Sequence, residues 1–184
     1  MPITIGAKKE SDFTDPIGML GDCHRRIERF LFVLQKLGIE RQGAALSERE
    51  QNAMSASLRY FREAAPKHTA DEEESLFPRM RAADPASMRV LFERIDALES
   101  DHKTAVRLHS EVGALGEIWL RQGTLSLEDA ARFSALTGQL ATLYKDHIAL
   151  EDTEVFPTAA TLLSSSDRRA IGTEMAARRG LSAE

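Results

Sequence analysis

The sequence predicts an all-α fold: an antiparallel, up-down-up-down four-helix bundle followed by a short fifth helix. Three observations predict it. Ala (25) and Leu (21) far outnumber Val (5) and Ile (9), so helix formers dominate over β-branched strand formers. Gly (11) and Pro (6) together fall below their usual share, which leaves little chain for long loops. Apolar residues recur at steps of three and four in four long segments joined by short links. At 184 residues, 42% hydrophobic and 29% charged, the chain matches one globular domain with a sizeable core.

The first helix opens at Asp15-Pro16, an N-cap followed by a proline whose missing N–H is not needed in the first turn. Ile17, Leu20, His24, Ile27, Leu31 and Leu34 then share one face, with Gly38 as the expected stop. Ser47-x-x-Glu50 is a capping box for the second helix. Its inner face reads Leu58, Phe61, Ala65, His68, Glu72 and Leu76, and Pro66 predicts a kink one turn before His68. Asp84-Pro85 repeats the starting signal for the third helix. That helix lines up Leu91, Ile95, Leu98, His102, Ala105, His109 and Val112, and stops at Gly123. Ser126-x-x-Asp129 caps the fourth, where Phe133, Leu140, Tyr144, His147, Glu151 and Val155 share a side. A short fifth helix is expected from about Ser166 to Arg179, closed by Gly180, with its arginines read as a solvated face. The expected organisation is a loose arm over residues 1–14, the bundle over 15–163, and a last helix and tail over 164–184.

Several function classes drop out early. A formal net charge of −5 disfavours nucleic acid or an anionic membrane surface as a partner. No apolar run approaches the ~18 residues of a membrane span. The first residues, Met1-Pro2-Ile3-Thr4-Ile5-Gly6, lack a basic-then-apolar signal pattern, so a cytoplasmic location is expected. Cys23 is the single cysteine, which excludes an internal disulfide and a cysteine-based zinc site.

The chemistry lies in an internal repeat. The pattern H-x-x-x-E-x-x-x-x-F-P runs from His68 to Pro78 and again from His147 to Pro157. His24 and His102 match in the same way on the first and third helices. Two helix pairs of one design predict approximate two-fold symmetry. Residues four apart on a helix lie on one face, about 6 Å apart along the axis, so a His and a Glu so spaced reach one point. Four imidazoles and two carboxylates suit two bridged iron or manganese ions in a bundle core. A single His on an apolar face is more often a hydrogen-bonded core residue. Four of the five in a regular scheme, with two carboxylates in otherwise apolar stripes, favour metal, because an unpartnered buried carboxylate is costly. The Phe-Pro pairs are expected to shape packing and the helix end near the site.

With these motifs, residues 15–163 resemble the hemerythrin-like (HHE cation-binding) family, in its bacterial four-His, two-Glu form. The tail from Glu174 to Gly180 also resembles bacterial members. The resemblance implies an antiparallel four-helix bundle around a non-haem di-iron centre, with His24, His68, Glu72, His102, His147 and Glu151 as ligands and each Glu as a bridge. It further implies a protein that binds or senses O2, NO or peroxide, or responds to iron or redox stress. The alternatives are a di-iron oxidoreductase reducing peroxide or NO, and an iron-cluster repair protein without the usual additional domain. Unlike the oxygen-carrying members, this chain has Val106 four residues after His102, and it has Glu151 then Asp152 after His147. Manganese and zinc are possible substitutes for iron. Outside the six, His109 is expected to be a buried hydrogen-bonded ring, Glu28 a surface charge, Cys23 a packed thiol, and Tyr144 either a packed residue or a donor beside the centre.

Overall fold

The computed structural model describes residues 10–83 and 88–182, which are helical with no strand among them. The first residues of the expected arm (1–9), the Asp84-Pro85 signal and the last two residues lie outside the described residues. Helix α1 spans Pro16–Arg41. The second rod is composite: α2 (Glu48–Glu63), α3 (Ala65–Ala70), a π-helical turn (Asp71–Leu76) and α4 (Phe77–Ala83). The third is α5 (Arg89–Gln122). The fourth joins α6 (Leu127–Leu150), a second π-helical turn (Glu151–Val155) and α7 (Phe156–Leu162). The last helix is α8 (Ser165–Arg178).

The start signals act as read. Asp15 Oδ1 accepts from the Gly18 N–H at 3.1 Å, and the Glu50 carboxylate accepts from the Ser47 N–H at 2.9 Å. Ser126 Oγ accepts from the Asp129 N–H at 3.1 Å. The helix breaks at Ala64, immediately before the Ala65-Pro66 start of α3, as the missing proline N–H requires. Gly123 ends α5 at φ 81°, a conformation that a side chain would strain.

Two expectations are corrected. Helix α1 continues past Gly38 to Arg41. Gly38 instead permits close approach of α6, since a Cβ there would sit 2.9 Å from Ser134 Oγ and 3.2 Å from Phe133 Cδ1. Nor do the Phe-Pro pairs mark helix ends. Each stands where a π-helical turn returns to α-helix, and the rod continues beyond it. A proline inside a helix clashes with the carbonyl four residues earlier, and a wider turn upstream relieves that clash.

Helix α1 packs against α2 and α6, and α5 packs against the same two, so the four rods close a ring. The α1–α2 and α5–α6 links meet at one end. There the Leu125 N–H donates to Gly43 O at 2.9 Å and Trp119 Nε1 donates to Ala44 O at 3.0 Å. Helix α8 lies against α1 and the first π turn. Its Arg178 and Arg179 are not a solvated pair: both reach Asp71, at 3.0 and 2.6 Å, and Asp71 is fully buried. Ahead of α1, the Ser11 N–H donates to the buried Asp22 carboxylate at 2.6 Å.

The apolar interior falls into two clusters. One, around Leu34, Met54, Trp119 and Phe133, fills the end where the two links meet. The other, around Leu20, Phe77, Ile95, Phe156 and Met175, includes residues of α8 and the short helices α4 and α7. Between them lies a layer of buried polar side chains.

Candidate metal centre

All six predicted residues meet in that layer. The four imidazoles are at most 5% exposed, and Glu72 and Glu151 are fully buried. Each rod places its histidine on the stripe that faces its neighbours, so burial follows from the apolar residues on either side. His24, His68, Glu72 and Glu151 bring one ligand-type atom each to within 4.8 Å of one another. His102, His147 and Glu151 form a second such group. Glu151 therefore belongs to both. Its Oε2 lies 3.1 Å from His24 Nε2 and 3.3 Å from His147 Nε2. Glu72 reaches across in the opposite sense, with Oε1 3.3 Å from His68 Nε2 and Oε2 3.4 Å from His102 Nε2.

The hydrogen bonding of this layer is incomplete in an informative way. His24 Nε2 and all four oxygens of Glu72 and Glu151 are buried and form no hydrogen bond. They are close to one another yet are not directed as donor and acceptor. Buried polar atoms of this kind, near one another but without hydrogen bonds, are costly unless something else binds them. Imidazole and carboxylate donors around shared points fit iron, manganese or zinc.

Residues 15–159 match the model of the hemerythrin HHE cation binding domain. The chain belongs to the hemerythrin HHE cation-binding family. It is also 30% identical over 167 residues, 91% of each chain, to a protein of Haemophilus influenzae described as uncharacterized. Family membership implies a bound cation, and the unpartnered donors are where this hemerythrin-family chain has room for one.

The π turns were not anticipated. In each, a backbone N–H reaches five residues back, Phe77 to Glu72 and Phe156 to Glu151, so the wide turn opens at the carboxylate residue itself. A widened turn re-aims the side chains it carries, and such turns are often found at functional sites.

A set of outer carboxylates was also missed. Asp152 Oδ1 lies 2.7 Å from His24 Nδ1, Glu73 Oε1 lies 2.8 Å from His102 Nδ1, and Asp101 Oδ2 lies 3.4 Å from His147 Nδ1. A carboxylate on Nδ1 favours the proton there and turns Nε2 inward; the inward Nε2 atoms of His102 and His147 lie 3.1 Å apart. Glu73 and Asp152 both stand five residues after a repeat histidine, and that shared acidic position was the available signal. His68 differs, because its Nδ1 is buried without a partner.

The electrostatics divide the two central carboxylates. Burial, reinforced by the charge of Glu151, pushes Glu72 well above the usual carboxyl range. Burial acts in the same direction on Glu151, but the neighbouring rings of His147 and His24 outweigh it and hold Glu151 well below that range. Burial disfavours a charged His24, yet Asp152 and Glu151 lift it to about 9. His147 is raised too: burial opposes this, and Glu151 and Asp101 overcome it. His68 and His102 are lowered, by burial first and then by neighbouring rings. The two rings beside Glu151 are thus the raised imidazoles, and Glu72 is the raised carboxyl.

Of the remaining candidates, His109 Nε2 lies 3.0 Å from Tyr144 Oη and its ring stacks on Phe61 with centroids 4.1 Å apart. Tyr144 therefore points its hydroxyl at His109. Glu28 is exposed, and Cys23 is a free, buried thiol.

Proposed function

We propose that this layer holds two iron ions bridged by Glu72 and Glu151, with His24 and His68 on one and His102 and His147 on the other, and that the centre binds or senses O2, NO or peroxide. Manganese and zinc suit the same donors. The observation that carries the reading is the reach of Glu151 to both imidazole pairs while its oxygens form no hydrogen bond. Bound iron supplies a redox couple and open positions for a small ligand. The chain supplies orientation, through the carboxylates on Nδ1, and exclusion of water, through the apolar clusters above and below.

The same reading takes residues 15–163 as one bundle whose rods alternate in direction. The meeting of the α1–α2 and α5–α6 links at one end supports it. The expected cytoplasmic location goes with it; no helix among the described residues is long and apolar enough to cross a membrane.

Elemental analysis of protein purified without added metal should find about two irons per chain. The anaerobic reduced protein should change its absorption spectrum when NO is added. Metal at background level, together with a melting temperature unchanged by chelator, would overturn the proposal. Saturable binding without repeated turnover fits a binding or sensing protein, whereas sustained consumption of NO or peroxide fits the oxidoreductase.

A further inference from the structure

Beside the candidate centre lies a cavity of about 380 Å³ between the α2–α3 rod and α5, reaching α6. A water molecule takes about 30 Å³ of liquid volume, and O2, NO and peroxide are molecules of that order. The cavity is therefore roughly ten times too large for them. Its volume is in the range that accommodates organic ligands, about 300–1,000 Å³. The walls are mainly apolar, with Leu58, Phe61, Ala105 and Val112 among them. The one ionic pair at its border, Arg62 with Glu117 at 3.3 Å, is internally paired and more than half exposed on both sides. A charged guest would find no unpaired counter-ion there, so the walls select a neutral one.

The polar groups of the lining are specific. His109 and Tyr144 face the cavity and are joined at 3.0 Å. Burial lowers His109 to about 4, so its ring is neutral near pH 7, and the hydrogen bond it shares with Tyr144 takes up at most one lone pair of the phenol oxygen. The Tyr144 oxygen then keeps a lone pair free to accept one more hydrogen bond. In the internal repeat, the positions matching Tyr144 and His109 are Ala65 and Leu31, so this polar pair exists in one half alone. Gly113 lines the same space, and a Cβ built there meets nothing within 4 Å.

We propose that this cavity binds a neutral, largely apolar organic alcohol or phenol whose hydroxyl donates to the Tyr144 oxygen. The binding surface includes only His102 of the six central residues, so occupancy does not depend on the metal reading.

The test is isothermal titration calorimetry with 1-naphthol, on protein as purified and after chelation, with metal measured in each sample. One-to-one binding with a dissociation constant on the order of 10–100 µM is expected in both. Gly113→Leu should fill the cavity and weaken binding at least tenfold, with melting temperature and metal content retained; Gly113→Ala should stay within twofold. Tyr144→Phe should weaken 1-naphthol about fivefold and leave 1-methylnaphthalene, which has no donor, unchanged. No saturable binding to the unaltered protein, or unchanged binding to Gly113→Leu, overturns the proposal. So does binding that disappears with the metal, since the guest would then be a metal ligand. Equal losses for both probes in Tyr144→Phe overturn the hydroxyl contact.

Discussion

The two halves of the internal repeat share a frame and differ in what surrounds it. Each contributes two histidines, one central carboxylate, one π turn and an acidic residue at the next position, which grips the first histidine of the other half. The second half places Asp101 against His147 Nδ1. The matching position in the first half is Cys23, and there His68 Nδ1 has no partner. The first half instead carries Asp71, clamped by α8, where the second half has Leu150. The lesson is that the two halves match in the groups at the centre and differ in the shell that orients and neutralises them.

Four experiments test this contrast, beginning with the largest effect. Glu151→Ala removes a side chain that reaches both imidazole pairs, so elemental analysis should find metal lost from both halves together. Retention of half the metal would show that the halves bind independently. Arg178→Ala/Arg179→Ala leaves Asp71 buried and uncompensated, and chemical denaturation should show a loss of about 3–5 kcal/mol. Leu150, its counterpart, has no charge to neutralise, so a cost below 1 kcal/mol would mean the clamp matters little to either half.

The third experiment concerns pH. His109 has a folded pKa of about 4 against an ordinary 6.5, so between those values the unfolded chain takes up a proton that the folded chain refuses. Its contribution is present above pH 6.5 and is lost as the pH falls towards 4, up to about 3 kcal/mol in all. His109→Gln should flatten that part of the stability profile, measured as urea midpoints against pH; the matching Leu31 carries no such dependence. The smallest effect separates the two Nδ1 positions. Asp101→Ala should weaken metal binding about tenfold in chelator competition, and Cys23→Ala should change it less than threefold. Equal losses would erase the proposed difference between the halves.

The central residues were legible because their spacing is a physical constraint. A His and a Glu four apart must share a helix face, and a repeat of that pair is hard to read as core packing. The helices were legible for the same reason, together with the starts at Asp15-Pro16, Ser47-x-x-Glu50 and Ser126-x-x-Asp129. What escaped depends on partners distant in the chain. Glu73 stands among acidic neighbours and resembles a solvated charge until His102, 29 positions on, is packed against it. Arg178 and Arg179 resemble a helix end favouring its dipole until Asp71 is placed beneath them. The π turns escaped because a single extra residue in a turn barely disturbs the hydrophobic period, leaving only Phe-Pro to mark them. Gly38 resembles a stop, and only the approach of Phe133 explains it as a packing contact.

Arg178 and Arg179 pair with Asp71 across 107 and 108 positions of chain, and Asp71 immediately precedes Glu72. During synthesis on the ribosome, every side chain of the central layer has therefore been made before the cations that offset this acid. A bundle that folds before α8 is made buries Asp71 without these two cations.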